Sequence, residues 1–194
     1  MDTSATARER RHVFTFAEYV LIAERSPTRL EFWDGVIFDM AGGSPRHSAI
    51  CANIIGVLRA QLRGGPCRAY DANLKVRSTV VNRATYADAT VVCGPLEIDP
   101  ADKTGQTVLN PSVLIEVHSP TTVSDDTGPK LDCYRTIASV RMIVLVAQDE
   151  RRIKLHERHP DGRWSETAHT GGVVELAAVG CSLPVDEVYE DLPE

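Results

Sequence analysis

No stretch of this 194-residue chain approaches the ~20 consecutive apolar residues that crossing a bilayer requires, so a membrane span is not expected. The opening residues, MDTSATARERRHV, have no apolar core of the about 7 to 15 residues that a secretory signal carries, and the expected location is cytoplasmic. Cysteine is sparse and scattered: Cys51, Cys67, Cys93, Cys133 and Cys181 include no C-x-x-C pair, which argues against a disulfide framework or a structural zinc site and for buried thiols. There is no H-E-x-x-H, Gly42-Gly43-Ser44 lacks the lysine of a phosphate loop, and Ser119 and Ser124 near Lys130 have no G-x-S-x-G elbow. A zinc peptidase, a nucleotide-loop protein and a covalent hydrolase therefore lose their sequence support. Repeats and low-complexity segments are also lacking.

What is present is the make-up of one globular domain, with 43% hydrophobic and 25% charged residues. Residues 1–13 read as a flexible arm and 14–194 as a single domain ending in an acidic tail. A net charge of −6 by itself disfavours a nucleic-acid partner. The charge is segregated, however. Arg59, Arg63, Arg68, Lys75, Arg77 and Arg83 stand against Asp71 alone, while Ser182 to Glu194 holds five acids and no base. Such a basic run is either an ordinary solvated face or a phosphate-facing side, with Arg63, Arg68, Lys75 and Arg77 the candidate contacts.

Local signals give an element order. Thr15-Phe16-Ala17-Glu18 is a capping box that opens a helix over about Phe16 to Glu24. Asp34-Gly35 joins β-prone Leu30–Trp33 to Val36–Met40 as a two-residue hairpin turn. Ser44-Pro45 caps a helix whose buried stripe is His47, Cys51, Ile54 and Leu58, running to about Arg63. Strand-like pieces follow around Arg68, Leu74–Arg77 and Thr85–Val92, then a polar loop over 94–110. Val113–His118 is a strand, Pro129–Ala138 a helix and Val140–Val146 a strand buried on both faces, which predicts a parallel crossover. Ile153–His156 and a segment near Trp164 close an antiparallel hairpin. The fold class is α/β, a mixed sheet flanked by helices with an N-terminal helix and hairpin and a C-terminal β-hairpin.

Three groups of polar residues stand out against this pattern. Register across Asp34-Gly35 puts Glu31 on a face with Trp33, Val36 and Phe38, a poor place for a lone carboxylate; it must meet a cation, a metal or a donor, or face solvent. Alternation puts Glu116 and His118 on one side of a strand whose other side is Val113, Ile115 and Val117, and Asp88 interrupts a run of small and β-branched residues. Were the Asp88 and Glu116 strands neighbours, a divalent cation between them or a retained proton would relieve the repulsion. Magnesium suits one or two carboxylates. Asp126, Lys130 and Tyr134 are spaced for one helix face, but Gly128-Pro129 starts the helix at Pro129, leaving Asp126 in the preceding loop and Lys130 in the first turn. A surface ion pair is the bland alternative for the last group, and a satisfied core histidine the bland alternative for His47.

At Glu31, His47, Asp88, Ile115-Glu116-Val117-x-Ser119-Pro120 and Asp126-x-x-x-Lys130-x-x-x-Tyr134, order and spacing resemble the bacterial Uma-type endonucleases, a branch of the PD-(D/E)XK nuclease superfamily. The likeness covers about residues 14 to 160. It implies a restriction-endonuclease-like core in which two strand acids, matched by Asp88 and Glu116, hold magnesium or manganese. It also implies a lysine supplied from the following helix, matched by Lys130, with Glu31 and His47 matching the additional acid and the helix-start histidine. Ala87 departs from the proline that commonly precedes the first acid, and His118 stands where many members have the lysine. The implied function is metal-dependent hydrolysis of DNA phosphodiesters, with Glu31 as an outer or second-metal ligand and His118, Asp126 and Tyr134 as accessories. The alternative is an inactive nuclease fold that binds DNA or a protein. A homo-oligomer, most simply a dimer, is expected from the sheet edges such small domains expose.

Overall fold

The structure, a computed structural model, describes residues 12–40, 42–119 and 127–193. Helix α1 (Phe16–Arg25) opens on the predicted capping box: Thr15 Oγ1 accepts from the Glu18 amide, and the Glu18 carboxylate accepts from the Thr15 amide at 2.7 Å. Strands β1 (Leu30–Trp33) and β2 (Val36–Asp39) form the predicted hairpin with Trp33 opposite Val36 and Glu31 opposite Phe38. Its turn needs positive φ at both central positions, and Asp34 (44°) and Gly35 (88°) supply it. Helix α2 (Pro45–Gln61) starts on Ser44, whose hydroxyl accepts from the His47 amide.

Strands β3 (Cys67–Asp71), β4 (Lys75–Ser78), β5 (Arg83–Tyr86), β6 (Ala89–Cys93), β7 (Thr107–Val108), β8 (Val113–His118), β9 (Met142–Ala147), β10 (Ile153–Arg158) and β11 (Trp164–His169) build two sheets. One has the order β2-β1-β5-β4-β7, the other β11-β10-β9-β8-β6-β3. Helix α3 (Pro129–Thr136) connects β8 to β9, which pair in parallel as expected, and the β10–β11 hairpin closes the larger sheet. Strands β12 (Val173–Leu176) and β13 (Cys181–Pro184) form a third, two-stranded ribbon leading into helix α4 (Val185–Val188).

Packing follows the alternation of each strand. Val113, Ile115 and Val117 join Val144, Val146 and the α2 residues Ile50, Ile54 and Leu58 on one face of the larger sheet, beneath the ribbon and α4. Leu114, Ile143 and Leu145 face the other way, against Leu131 and Tyr134 of α3, Ile137 just after it, and Val76 and Val108 of the smaller sheet. Helix α1 covers the far side of the smaller sheet, packing Phe16, Tyr19 and Val20 on Phe32 and Ala84. Helix α3 therefore lies between the sheets, where its polar residues can reach both.

Four expectations are corrected. The run Thr85–Val92 is two strands: β5 pairs with β1 and β4, β6 pairs with β3 and β8, and the chain changes sheets at Ala87-Asp88. Cys67 and Cys93 are bonded, because the β3–β6 register sets them directly opposite each other. Of the basic run, Lys75 lies inside, its ammonium 4.9 Å from the Tyr19 ring centre, and burial pulls it below its usual pKa against the pull of Asp102. Arg77 pairs with Asp99 at 2.6 Å over the Phe16 ring, so these two offer no phosphate-facing surface. Finally, most of the expected acidic tail is folded. Val185 and Val188 are fully buried, the Tyr189 hydroxyl donates to the Ala147 carbonyl at 2.8 Å, and Asp186, Glu187, Glu190 and Asp191 face out. No helix among the described residues is long and apolar enough to cross a membrane.

Candidate active site

Strands β6 and β8 are antiparallel neighbours, and one step beyond their last pair, Ala89 with Ile115, the register brings Asp88 level with Glu116. The acid that interrupts one strand thus stands level with the acid that interrupts the next. Asp88 sits at the corner where the chain leaves one sheet for the other. Its Oδ2 accepts from the Val117 amide at 2.8 Å and lies 3.2 Å from His47 Nε2, which α2 delivers from its first turn. His47 Nδ1 is 3.6 Å from Cys51 Sγ, one helical turn on. Gly43 leaves room for this ring, since a Cβ there would stand 2.6 Å from His47 Nδ1.

Glu116 is buried on the inter-sheet face of β8. Two α3 residues, one turn apart, converge on its Oε1: the Lys130 ammonium at 3.0 Å and the Tyr134 hydroxyl, which donates a short hydrogen bond. Burial, then the negative charge of Glu116, pushes the Tyr134 phenol well above its ordinary pKa, so it remains a donor. Lys130 also donates to the Tyr86 carbonyl at 3.2 Å and lies 3.8 Å from Glu31 Oε1, linking the two sheets through one ammonium. Thr85 donates to the same Glu31 oxygen, and Arg83 stands 3.7 Å from the other. Glu31 has therefore met cations and a donor from its own protein. Beyond it on the same face, Trp33, Val36 and Phe38 are exposed, and Arg83 stacks 4.8 Å from the Trp33 ring centre.

Side-chain contacts join Glu31, Glu116, Lys130 and Tyr134 in one group and His47 and Asp88 in another, and the Asp88 bond to the Val117 amide, next to Glu116, sets the two groups side by side. His118 is half-buried at the end of β8, on the Glu116 side by alternation. Arg63 and Arg68 are exposed at the far end of α2. Asp126 lies outside the described residues. Three residues escaped the sequence reading as participants. Thr85 and Arg83 of β5 share a sheet face with Glu31 of β1, and this could be found only once β1 was paired with β5. Cys51 was assigned to the buried stripe, yet it lies four residues from His47.

The donor set distinguishes two ways to hold a cation. His47, Cys51 and Asp88 offer ligand atoms within 4.8 Å of one another, one donor short of a tetrahedral zinc centre. The Cys51 thiol is pushed far up by burial and then by the charges of Asp88 and Glu116, which keeps the proton on sulfur. Asp88 and Glu116 supply hard oxygen from adjacent strands, and these donors fit magnesium or manganese.

The sequence profile of the Uma2 family, described as "Putative restriction endonuclease", matches residues 16–186. This chain belongs to the Uma2 family. Uma2-like relatives include the uncharacterised protein slr1290 of Synechocystis sp. (strain ATCC 27184 / PCC 6803 / Kazusa), 31% identical over 90% of each chain. Another is the uncharacterised protein sll1609 of the same organism, 24% identical over 84% of this chain and 92% of the relative. Among solved structures, a "putative nuclease belonging to DUF820" from Anabaena variabilis superposes with a TM-score of 0.70 at 19% identity, covering 91% of this chain and 97% of that one. The likeness to that structure shows the fold, mixed sheets flanked by helices.

Proposed function

We propose that this Uma2 protein is a divalent-metal-dependent endonuclease that hydrolyses DNA phosphodiesters. The observation that carries the reading is the level placement of Asp88 and Glu116 on adjacent strands, with Lys130 of α3 at 3.0 Å from Glu116. Asp88 and Glu116 would hold magnesium or manganese, which when bound supplies Lewis acidity and a more acidic water. Lys130, held by Glu116, Glu31 and the Tyr86 carbonyl, presents a fixed positive charge to the scissile phosphate. A preorganised contact of this kind contributes up to about 3 to 4 kcal/mol in related cases. Tyr134 fixes the Glu116 carboxylate by donating to it. His47, its ring nitrogens against Asp88 and Cys51, orients the Asp88 carboxylate. Both Glu31 oxygens are engaged by protein partners, so Glu31 is assigned as the positioning residue for Lys130 rather than as a ligand.

The test is cleavage of plasmid DNA with magnesium or manganese. Wild type should cut, Asp88→Ala and Lys130→Ala should not, and cutting unchanged by Asp88→Ala overturns the assignment. Glu31→Gln should slow cleavage, because Lys130 loses a carboxylate that positions it, while divalent-ion affinity stays intact.

One observation favours a second reading: the carboxylates of Glu31 and Glu116 are already compensated by Lys130, Arg83, Thr85 and Tyr134, as in an ion-paired core without a metal. That reading gives a non-cleaving DNA-binding protein. Calorimetry separates the two, since the nuclease takes up manganese and loses the binding heat in Asp88→Ala, whereas the binder gives no heat at all.

A further inference from the structure

Two clefts of about 530 Å³ and about 620 Å³ lie end to end on one flank of the molecule. The first contains Asp88 and is walled by Cys51 and Ile55 of α2 and by Asp71 at the end of β3. The second is walled by Arg59 of α2, by Arg63 in the turn just beyond it, and by Arg68 and Tyr70 of β3. Residues 51, 55 and 59 recur every four positions and so form one face of the helix. Strand β3 runs alongside as the outermost strand of the larger sheet, with Asp71 opposite Ala89 at the Asp88 end and Cys67 opposite Cys93 at the arginine end. The two clefts are therefore stretches of one trough between α2 and β3.

Its far end is prepared for anions. Arg59, Arg63 and Arg68 are exposed, and no acid lines that cleft. Arg68 is steered by the Gly65 and Cys67 carbonyls, which leave its charge uncompensated, and Arg59 and Arg63 have no hydrogen-bonded or ion-paired partner among the described residues. Three guanidiniums in one concave site are suited to phosphate oxygens. The Cys67–Cys93 bond sits under them and ties β3 to β6 at that end.

We infer that this trough seats the nucleic-acid strand flanking the cleaved bond, with Arg59, Arg63 and Arg68 gripping its phosphates. The ligand's identity rests on the nuclease reading above. Arg59 lies twelve residues beyond His47 on α2, a separation of ~18 Å along the helix axis, or about five nucleotides of a duplex strand. The basic run read from the sequence thus contributes its first three members to the ligand and its last three to the fold.

The experiment is fluorescence anisotropy with a labelled DNA of about 16 base pairs, over a series of salt concentrations, in the Asp88→Asn background so that nothing is cut. Arg59→Ala/Arg63→Ala/Arg68→Ala should weaken binding at least about tenfold and reduce the slope of log K against log salt by about 2 to 3. Replacing the same residues with lysine should restore most of the slope. Arg141→Ala/Arg151→Ala/Arg163→Ala, equal in net charge and exposed elsewhere, should leave the affinity within about twofold. Unchanged affinity and slope in the first variant, or an equal loss in the control, overturns the trough. Because the readout is binding, a protein that cuts no DNA but shows the expected slopes refutes the nuclease and keeps the trough. One that cuts but shows unchanged slopes does the reverse.

Discussion

The two halves of the candidate site are built differently. Glu116, Lys130 and Tyr134 form a closed knot between the sheets, the carboxylate and ammonium side chains only 3% and 8% exposed. Asp88 and His47, one strand away, remain 18% and 21% exposed and open onto a cleft. The knot spends its charges on each other, and removing one partner strands the rest in a poorly solvating interior. The open pair is wet enough to lose a partner cheaply, and an incoming ligand reaches it first. The closed group is fixed by its own charges before any ligand arrives, so removing one of its members costs the fold as well as the site.

This contrast can be broken most severely at Lys130. Lys130→Met leaves Glu116 and Glu31 without their shared ammonium and should cost about 3 to 5 kcal/mol in urea unfolding, with part of the loss recovered by adding Glu116→Gln. A loss under about 1 kcal/mol would mean that the knot is solvated after all. Tyr134→Phe deletes one buried donor to Glu116 and should cost about 1 to 3 kcal/mol by the same measurement. Asp88→Asn, on the open side, should cost less than about 1 kcal/mol while abolishing divalent-ion binding; a loss as large as that of Lys130→Met would erase the distinction. Gly43→Ala is the mildest: the new methyl displaces the His47 ring, so the histidine's NMR titration should shift while the thermal midpoint stays within about 2 °C.

Much of this site was legible in the sequence because it follows from alternation and turn chemistry. Asp34-Gly35 fixed the register that turns Glu31 away from Leu30 and Phe32, and period-two patterning separated Glu116 from Val113, Ile115 and Val117. Pro129 marked the first turn of α3 and so placed Lys130 and Tyr134 one turn apart. What escaped depends on contacts distant in sequence. Nothing in Thr85–Val92 announces that its halves pair with different sheets. Lys75 and Arg77 looked like surface charge until Tyr19, Phe16 and Asp99 were brought against them from elsewhere. Cys67 and Cys93, 26 residues apart, pair only through the β3–β6 register. Val185 and Val188 were overshadowed by the acids around them, although their spacing suits an inward-facing turn of helix.

The corner at Ala87-Asp88 has a consequence for how such a protein can diversify. The first acid hangs from the short piece of chain that both sheets share, with Ala87 wholly enclosed, rather than from a surface excursion. Lengthening or rewriting the outlying connections, such as 94–106, leaves that corner untouched. Descendants of one ancestral scaffold can then acquire new targets by exchanging peripheral segments, while the reactive centre is inherited intact with the architecture.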